Sequence, residues 1–251
     1  MAITGTDRGT AYINTNATTG TFSPASNFAA GSWAVCCIAI NNSESGGGAY
    51  STFTLTDSLG NTWTRRISPL YNAGPGTNTG VEGAIFTTPM DGGTLTTGTT
   101  LTITTSTATA RRAVTLMEIV PTGGSSLSYV QGASGTGGNL SPISLTTASI
   151  TNGNMLIAAC FGEWEAAPPT PDSDTTNGSW STAQSTDGGT TAAGICISSQ
   201  RKVVTATGTQ TYNLGLDSSH DAILGWIELT DISGGGGGSS SSSGNFFLLL
   251  M

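Results

Sequence analysis

The chain has 251 residues, and only 9% of them are charged, against about 25% in ordinary globular domains. Gly contributes 36 residues, and Thr and Ser are abundant throughout. This composition excludes a solvated disordered chain, which needs high net charge, and a helical protein, which needs more Lys, Arg, Glu and Gln. The net charge of −8 also opposes nucleic-acid binding, because a basic surface is needed to displace counterions. The composition therefore predicts an all-β fold.

Short apolar or alternating runs, separated by turn signals, predict strands in the first part of the chain. The predicted strands are 33–40, 53–57, 62–67, 81–87, 99–104 and 111–120. Segments 52–56 and 99–104 alternate Thr with an apolar residue, which predicts one buried and one exposed face. Segment 34–40 is apolar on both faces and is therefore expected to be a central strand that is covered on both sides.

The second part of the chain shows the same pattern of short strands. The predicted strands are 155–161, 178–183, 192–198, 210–216 and 222–229. Six to eight strands in roughly 110 residues is typical of a β-sandwich, either a jelly roll or an immunoglobulin-like fold.

Five segments of the first part recur in the same order in the second, which predicts an internal duplication. The matched pairs are 22–24 with 140–142, 31–40 with 153–162, 57–63 with 174–180, 83–86 with 194–197, and 116–120 with 226–230. Asp57 and Trp63 stand six positions apart, as do Asp174 and Trp180. We therefore expect two tandem β-sandwich units, at residues 1–122 and 123–232.

Residues 233–251 form a third region, a Gly/Ser spacer that ends in a short apolar tail. Because large apolar side chains at a flexible end favour aggregation unless they are covered, the tail is expected to dock on a neighbouring subunit or on an underlying shell. A frayed terminus is the alternative. The predicted interface residues are Phe246, Phe247, Leu248, Leu249 and Leu250.

The acidic residues and the single histidine do not form a recognisable catalytic constellation. His220 lies in the contiguous run Asp217-Ser-Ser-His-Asp221, whereas a catalytic triad converges from separate segments. Glu163 and Glu165 flank a tryptophan. Glu118 and Glu228 occupy matching positions in the two units and are expected to be structural anchors that accept backbone N–H groups or pair with an Arg. No catalytic residue is predicted.

The loop 163–178 is the strongest candidate for a metal or ligand site. Its run Asp172-x-Asp174-x-x-Asn177-Gly178 resembles a calcium loop but lacks the ligand spacing of one, and Asx residues before Gly also form ordinary turns. Calcium, glycan and simple turn therefore remain alternatives here, and no metal or cofactor is predicted.

Four cysteines lie inside apolar runs, which favours buried free thiols over disulfides or a metal site. They are Cys36, Cys37, Cys160 and Cys196. Neighbours on one strand point to opposite faces, so Cys36 and Cys37 do not suit a shared ion.

The sequence shows no signal peptide and no apolar run of about 18 residues, so no membrane partner is expected. A surface-type composition without a signal is typical of virus particles, which assemble in the host cytoplasm. Localisation in a virion is therefore expected.

The element Asp57-Ser-Leu-Gly-Asn-Thr-Trp63, followed by a Thr-rich segment and a strand that carries Glu118, resembles the β-sandwich virion structural proteins of tailed bacteriophages. The second unit departs from this pattern at Asn177-Gly178. The resemblance implies a non-enzymatic component, most simply a capsid decoration (cement) protein, with a head fibre or tail component as variants. It implies homo-oligomers and other virion proteins, the major capsid protein or tail components, as partners. The alternative is a carbohydrate-binding or adhesin module that uses Trp164 and the acidic loop 163–174.

Overall fold

The computed structural model describes residues 3–42, 48–71, 80–122, 126–135, 137–140, 142–163, 169–186, 194–215 and 220–232. These residues form an all-β protein, and none of them lies in a helix that is long and apolar enough to span a membrane. The strands of the first half are β1 (Thr4–Ile13), β2 (Ala17–Phe22), β3 (Trp33–Asn42), β4 (Phe53–Asp57), β5 (Thr64–Ile67), β6 (Leu70–Tyr71), β7 (Gly80–Thr88), β8 (Leu101–Thr109) and β9 (Arg112–Val120). Those of the second half are β10 (Ser126–Ser134), β11 (Gly138–Leu140), β12 (Ile143–Ile150), β13 (Met155–Glu163), β14 (Gln184–Thr186), β15 (Ile195–Val203), β16 (Gly208–Leu214) and β17 (His220–Ile232).

Each half contributes one large and one small antiparallel sheet. The large sheet of the first half has the order β1-β9-β3-β7-β5, with β6 also paired to β7, and the small sheet has the order β2-β8-β4. The large sheet of the second half has the order β10-β17-β13-β15-β14, with β11 also paired to β17, and the small sheet is β12-β16.

The four sheets form four layers, with the two large sheets in the middle. A central core, to which both halves contribute, lies between the large sheets and includes Val35, Cys37, Ile157 and Phe161. Each small sheet covers the other face of its own large sheet over a separate outer core. The strands of the large sheets therefore need apolar side chains on both faces, as the run at β3 predicts.

The sandwich fold is confirmed, and its alternating strands have the predicted faces. In β4 the side chains of Phe53 and Leu55 are buried while Thr54 and Thr56 are exposed. The prediction of two sandwiches in tandem did not include the central core that joins the two halves. On the central side, the large sheet of each half covers the apolar face of the other large sheet.

The halves share their strand order and a bulge at the same place. Strand β1 has a register shift between Asp7 and Gly9, and β10 has one between Tyr129 and Gln131. In each half the strand partner of the repeated glutamate matches the sequence repeat: Ala34 faces Glu118, and Leu156 faces Glu228. The first matched pair is not equivalent in this arrangement, because Phe22 ends β2 whereas Leu140 ends β11, before β12 begins. Duplication and the exact unit boundaries stay predictions.

One predicted strand of the second half is wrong. Residues 178–183 form turn and coil, and the short strand β14 begins only at Gln184. Single hydrogen bonds replace a regular ladder here: the side-chain amide of Gln200 donates to the carbonyls of Asp172 and Ser181, and the amide of Ser181 donates to the carbonyl of Arg201. These bonds satisfy the backbone groups that a strand would otherwise pair.

Candidate functional site

Glu118, in the middle of β9, is a buried carboxylate surrounded by donors. Its Oε1 accepts hydrogen bonds from the amide of Ala29 and from Ser32 Oγ, the latter at 2.8 Å. Its Oε2 accepts from Arg8 Nε at 3.0 Å, and the Nη2 of Arg8 completes an ion pair. Burial acts to raise the pKa of Glu118, but the Ala29 amide, Arg8 and Ser32 outweigh it and hold the pKa below its ordinary value.

Glu228 occupies the corresponding position of β17, and its donors come from corresponding places. Its Oε1 accepts from the amide of Thr151 at 2.9 Å and from Asn154 Nδ2 at 2.6 Å. Its Oε2 accepts from Gln131 Nε2 at 2.6 Å. A neutral amide therefore replaces the arginine of the first half. The prediction that the repeated glutamates are structural anchors is confirmed.

Glu163 and Asp221 form a carboxyl pair that the sequence analysis did not anticipate. They are direct partners across β13 and β17, at the end of the second large sheet. The Glu163 Oε1 also accepts from Asn41 Nδ2 of the first half at 3.2 Å. Burial, and secondarily the charge of Asp221, raise the pKa of Glu163 to about 8, while Arg111 acts in the opposite direction. Glu163 lies two residues after the predicted strand 155–161 and Asp221 lies directly before the predicted strand 222–229, but nothing in the sequence indicated that these two strands pair.

The other catalytic candidates are not brought together among the described residues. His220 begins β17 opposite Leu140 of β11, and residues 217–219 of its run lie outside the described residues. Trp164 and Glu165 also lie outside them, as do the predicted interface residues of the tail, Phe246 to Leu250. The interface prediction is therefore untested.

The acidic run of the second half forms consecutive Asx turns. Asp172 Oδ1 accepts from the amide of Asp174 at 2.7 Å, and Asp172 Oδ2 accepts from the amide of Asn213 at 2.8 Å. Asp174 Oδ1 accepts from the amide of Thr176 at 2.9 Å. Asn177 then takes a left-handed φ of 56°. Within the described part of the chain, no three His, Cys, Asp or Glu side chains are grouped closely enough to hold a metal ion.

The two repeated tryptophans differ in their hydrogen bonding. Trp63 is half-buried, and its Nε1 donates to Asp57 Oδ2 at 2.6 Å. Trp180 is 9% exposed, packs against Tyr212 at 4.9 Å between ring centroids, and lies under the Lys202 ammonium at 4.8 Å. Its buried Nε1 has no hydrogen-bond partner among the described residues. Both tryptophans contact the outer core of their own half.

All four cysteines are buried free thiols, as predicted. Cys37 lies in the central core, whereas Cys36, its neighbour, lies in the outer core of the first half. Burial raises the pKa of Cys37 to about 12, against which a hydrogen bond from Thr115 has a smaller effect. Burial raises the pKa of Cys36 and Cys160 as well, so these three thiols are protonated and enclosed, which is the opposite of a reactive cysteine site.

The outward faces of the small sheets carry rows of hydroxyl groups. In the first half two rows cross all three strands in register, Thr19 with Thr104 and Thr54, and Thr21 with Thr102 and Thr56. In the second half Thr146 faces Thr211 across β12 and β16. These positions are exposed or half-buried, and none of them is charged.

No family model matches this chain, and neither the curated proteins nor the solved structures include one that is significantly similar to it.

Proposed function

We propose that this chain is a non-enzymatic virion structural protein, and specifically a capsid decoration (cement) protein of a tailed bacteriophage. The proposal rests on the roles of the chain's polar groups, which serve the fold in the interior and are uncharged in the rows on the outer faces. The deeply buried carboxylates Glu118 and Glu228 are fully committed to backbone and side-chain donors of the fold. The outer faces offer uncharged threonine rows.

Catalysis would need a different arrangement of these groups. An acid–base site places titratable groups around a cleft where a substrate can reach them. Glu163 and Asp221 are paired, but they lie at the edge where Asn41 joins the first half to the second, and the hydrogen bond to Asn41 gives Glu163 a structural role. A four-layer body with a shared core and uncharged threonine rows on its outer faces suits a rigid component of a particle.

Attachment is assigned to the C-terminal tail. Burying each of Phe246, Phe247, Leu248, Leu249 and Leu250 would contribute roughly 1.5–3 kcal/mol, which together exceeds the modest loop-closure cost of the spacer. Tethering through the spacer also raises the local concentration of the docking segment. The partners are further copies of this chain and the major capsid protein, within the virion.

Deleting residues 245–251 tests the attachment. The truncated protein should melt like the full chain but should be lost from purified particles. The matched control deletes Gly234–Gly238 and keeps the tail, and it should still occupy particles. Equal occupancy of particles by the truncated and full-length chains would contradict the attachment.

The number of copies per particle tests the decoration assignment. Quantitative mass spectrometry of purified particles should find hundreds of copies of this chain. A few copies would instead indicate a fibre or tail component, and no copies would reject the virion proposal altogether.

A further inference from the structure

A cavity of about 550 Å³ opens on the second half, between segments 170–175 and 179–183. Trp180 and Gln200 also line it. Its volume falls within the roughly 300–1,000 Å³ of typical small-molecule sites. The loop that forms it replaces the strand β4 of the first half, because the second small sheet has only the strands β12 and β16 among the described residues.

The cavity coincides with the main difference between the two halves. In the first half the indole N–H of Trp63 is satisfied by Asp57. In the second half the acid six positions earlier, Asp174, accepts from its own turn, and Trp180 Nε1 has no partner among the described residues. The Nε1 atom itself is enclosed by the chain, whereas Trp180 as a residue borders the cavity, so the side chain offers a ligand an apolar surface and not its N–H.

The lining also restricts the chemistry of a ligand. Asp172 and Asp174 repel anions. Both oxygens of Asp172 already accept backbone N–H groups, which leaves a poor site for a metal cation. Apolar atoms nevertheless form most of the exposed lining, and Pro171, Trp180 and Ala183 are among the residues that supply them, so a ligand needs an apolar face as well as polar groups.

What remains is a neutral molecule rich in hydroxyl groups. Ser173, Thr175, Ser179 and Thr182 are exposed hydroxyl residues of the rim, and each can both donate and accept. Together with the Asp174 carboxylate they match the hydroxyl groups of a sugar ring, and Trp180 and Pro171 match its apolar C–H face. We propose that this cavity binds a neutral saccharide, a function separate from the proposed role in the particle.

The experiment titrates the full chain, labelled with ¹⁵N, with maltotriose, cellotriose and chitotriose and follows amide and indole resonances. At least one sugar should shift resonances of 170–183 and the Trp180 indole saturably. The Thr182→Trp variant, which fills the rim, should weaken that binding at least tenfold. The matched control Thr54→Trp places the same side chain on an exposed strand of the first half and should bind as the unmodified chain does.

Two further measurements keep the test decisive. Asp174→Ala should also weaken binding at least tenfold, and it serves if Thr182→Trp does not fold. Sialyllactose, an anionic sugar, should bind less well than the neutral sugars. Absence of saturable shifts with all three neutral sugars, or binding that neither substitution weakens, would overturn the proposal. Neither result bears on particle occupancy, so the two proposals can fail separately.

Discussion

In each half one buried carboxylate binds the turn that precedes a central strand to the large sheet. Glu118 joins β9 to the amide of Ala29 and to Ser32, just before β3. The bulge in β1 directs Arg8 at the same carboxylate. A buried charge is tolerated only where donors replace its lost hydration, so these few hydrogen bonds hold three chain segments together.

Replacing Glu118 by Gln should lower the free energy of unfolding by about 2–4 kcal/mol, because Arg8 and one backbone donor lose a charged acceptor. Urea unfolding measures the loss. Asn14→Asp is the control, since it also changes the charge by one unit but at an exposed residue, where substitutions usually change stability by less than about 0.5 kcal/mol. A loss for Glu118→Gln as small as that of the control would contradict the anchor role.

The raised pKa of Glu163 predicts that stability changes with pH in the direction opposite to that produced by an ordinary ion-paired acid. Its pKa is raised to about 8 in the folded chain, from a usual value near 4.5. The folded state therefore keeps a proton that the unfolded state has lost, and this group makes stability fall as the pH rises from about 4.5 to 8. Glu163→Gln imitates the protonated acid and should remove that part of the decline. The melting temperature at pH 5.5 and pH 8.5 measures it, and an equal decline in both proteins would rule the effect out.

At the scale of strands, apolar pattern predicted the interior of the fold better than its edges. The central strands β3, β7, β9, β13 and β17 follow the predicted ranges closely, because burial on both faces produces continuous apolar runs. The edge strands β1, β2, β10 and β12 were not predicted. In β1 and β10 many side chains are exposed or half-buried, so their sequences carry little periodic signal.

The candidate site was predictable only where it depends on one strand. That Glu118 and Glu228 are anchors followed from their recurrence in central apolar strands. The carboxyl pair of Glu163 and Asp221 depends on strand register, and the cavity beside Trp180 depends on a loop that replaces a strand. Pairing and loop closure are set by contacts distant in sequence, which composition and spacing do not contain.

The two large sheets approach so closely that a glycine is required between them. A Cβ at Gly83 of β7 would lie 2.4 Å from the ring of Phe161 of β13. Gly83→Ala should therefore lower the free energy of unfolding by about 1–3 kcal/mol through overpacking. Gly98→Ala is the control, because the nearest atom to its Cβ would be 3.8 Å away. Chemical denaturation of both variants compares them, and equal stability would show that the sheets can separate without cost.

At the scale of the whole molecule, neither half has a core of its own on the central side. Val35, Cys37 and Met117 of the first half pack into the same cluster as Ile157, Phe161 and Ile227 of the second. Separating the halves would expose both faces of this cluster, and apolar surface costs about 25 cal/mol for each Å² exposed to water. Polar contacts also join the halves: Gln184 of β14 donates to the carbonyls of Gly9 and Leu116, Asn41 Nδ2 donates to Glu163, and Arg201 pairs with Asp7.

This shared core predicts that the two halves unfold together. Ile157→Ala should cost about 2–5 kcal/mol, because Ile157 is fully buried in the central core. Although the substitution lies in the second half, the lost stability should appear in both halves. Hydrogen exchange followed by mass spectrometry should show amides of β3 and β9 losing protection by the same factor as those of β13 and β17, since all open in one global event.

Leu156→Ala, in the outer core of the second half, makes a matched comparison on the opposite face of the same strand. If β3 and β9 keep their protection while β13 and β17 lose theirs, the halves are independent domains and the central core is a contact between two separately stable sandwiches.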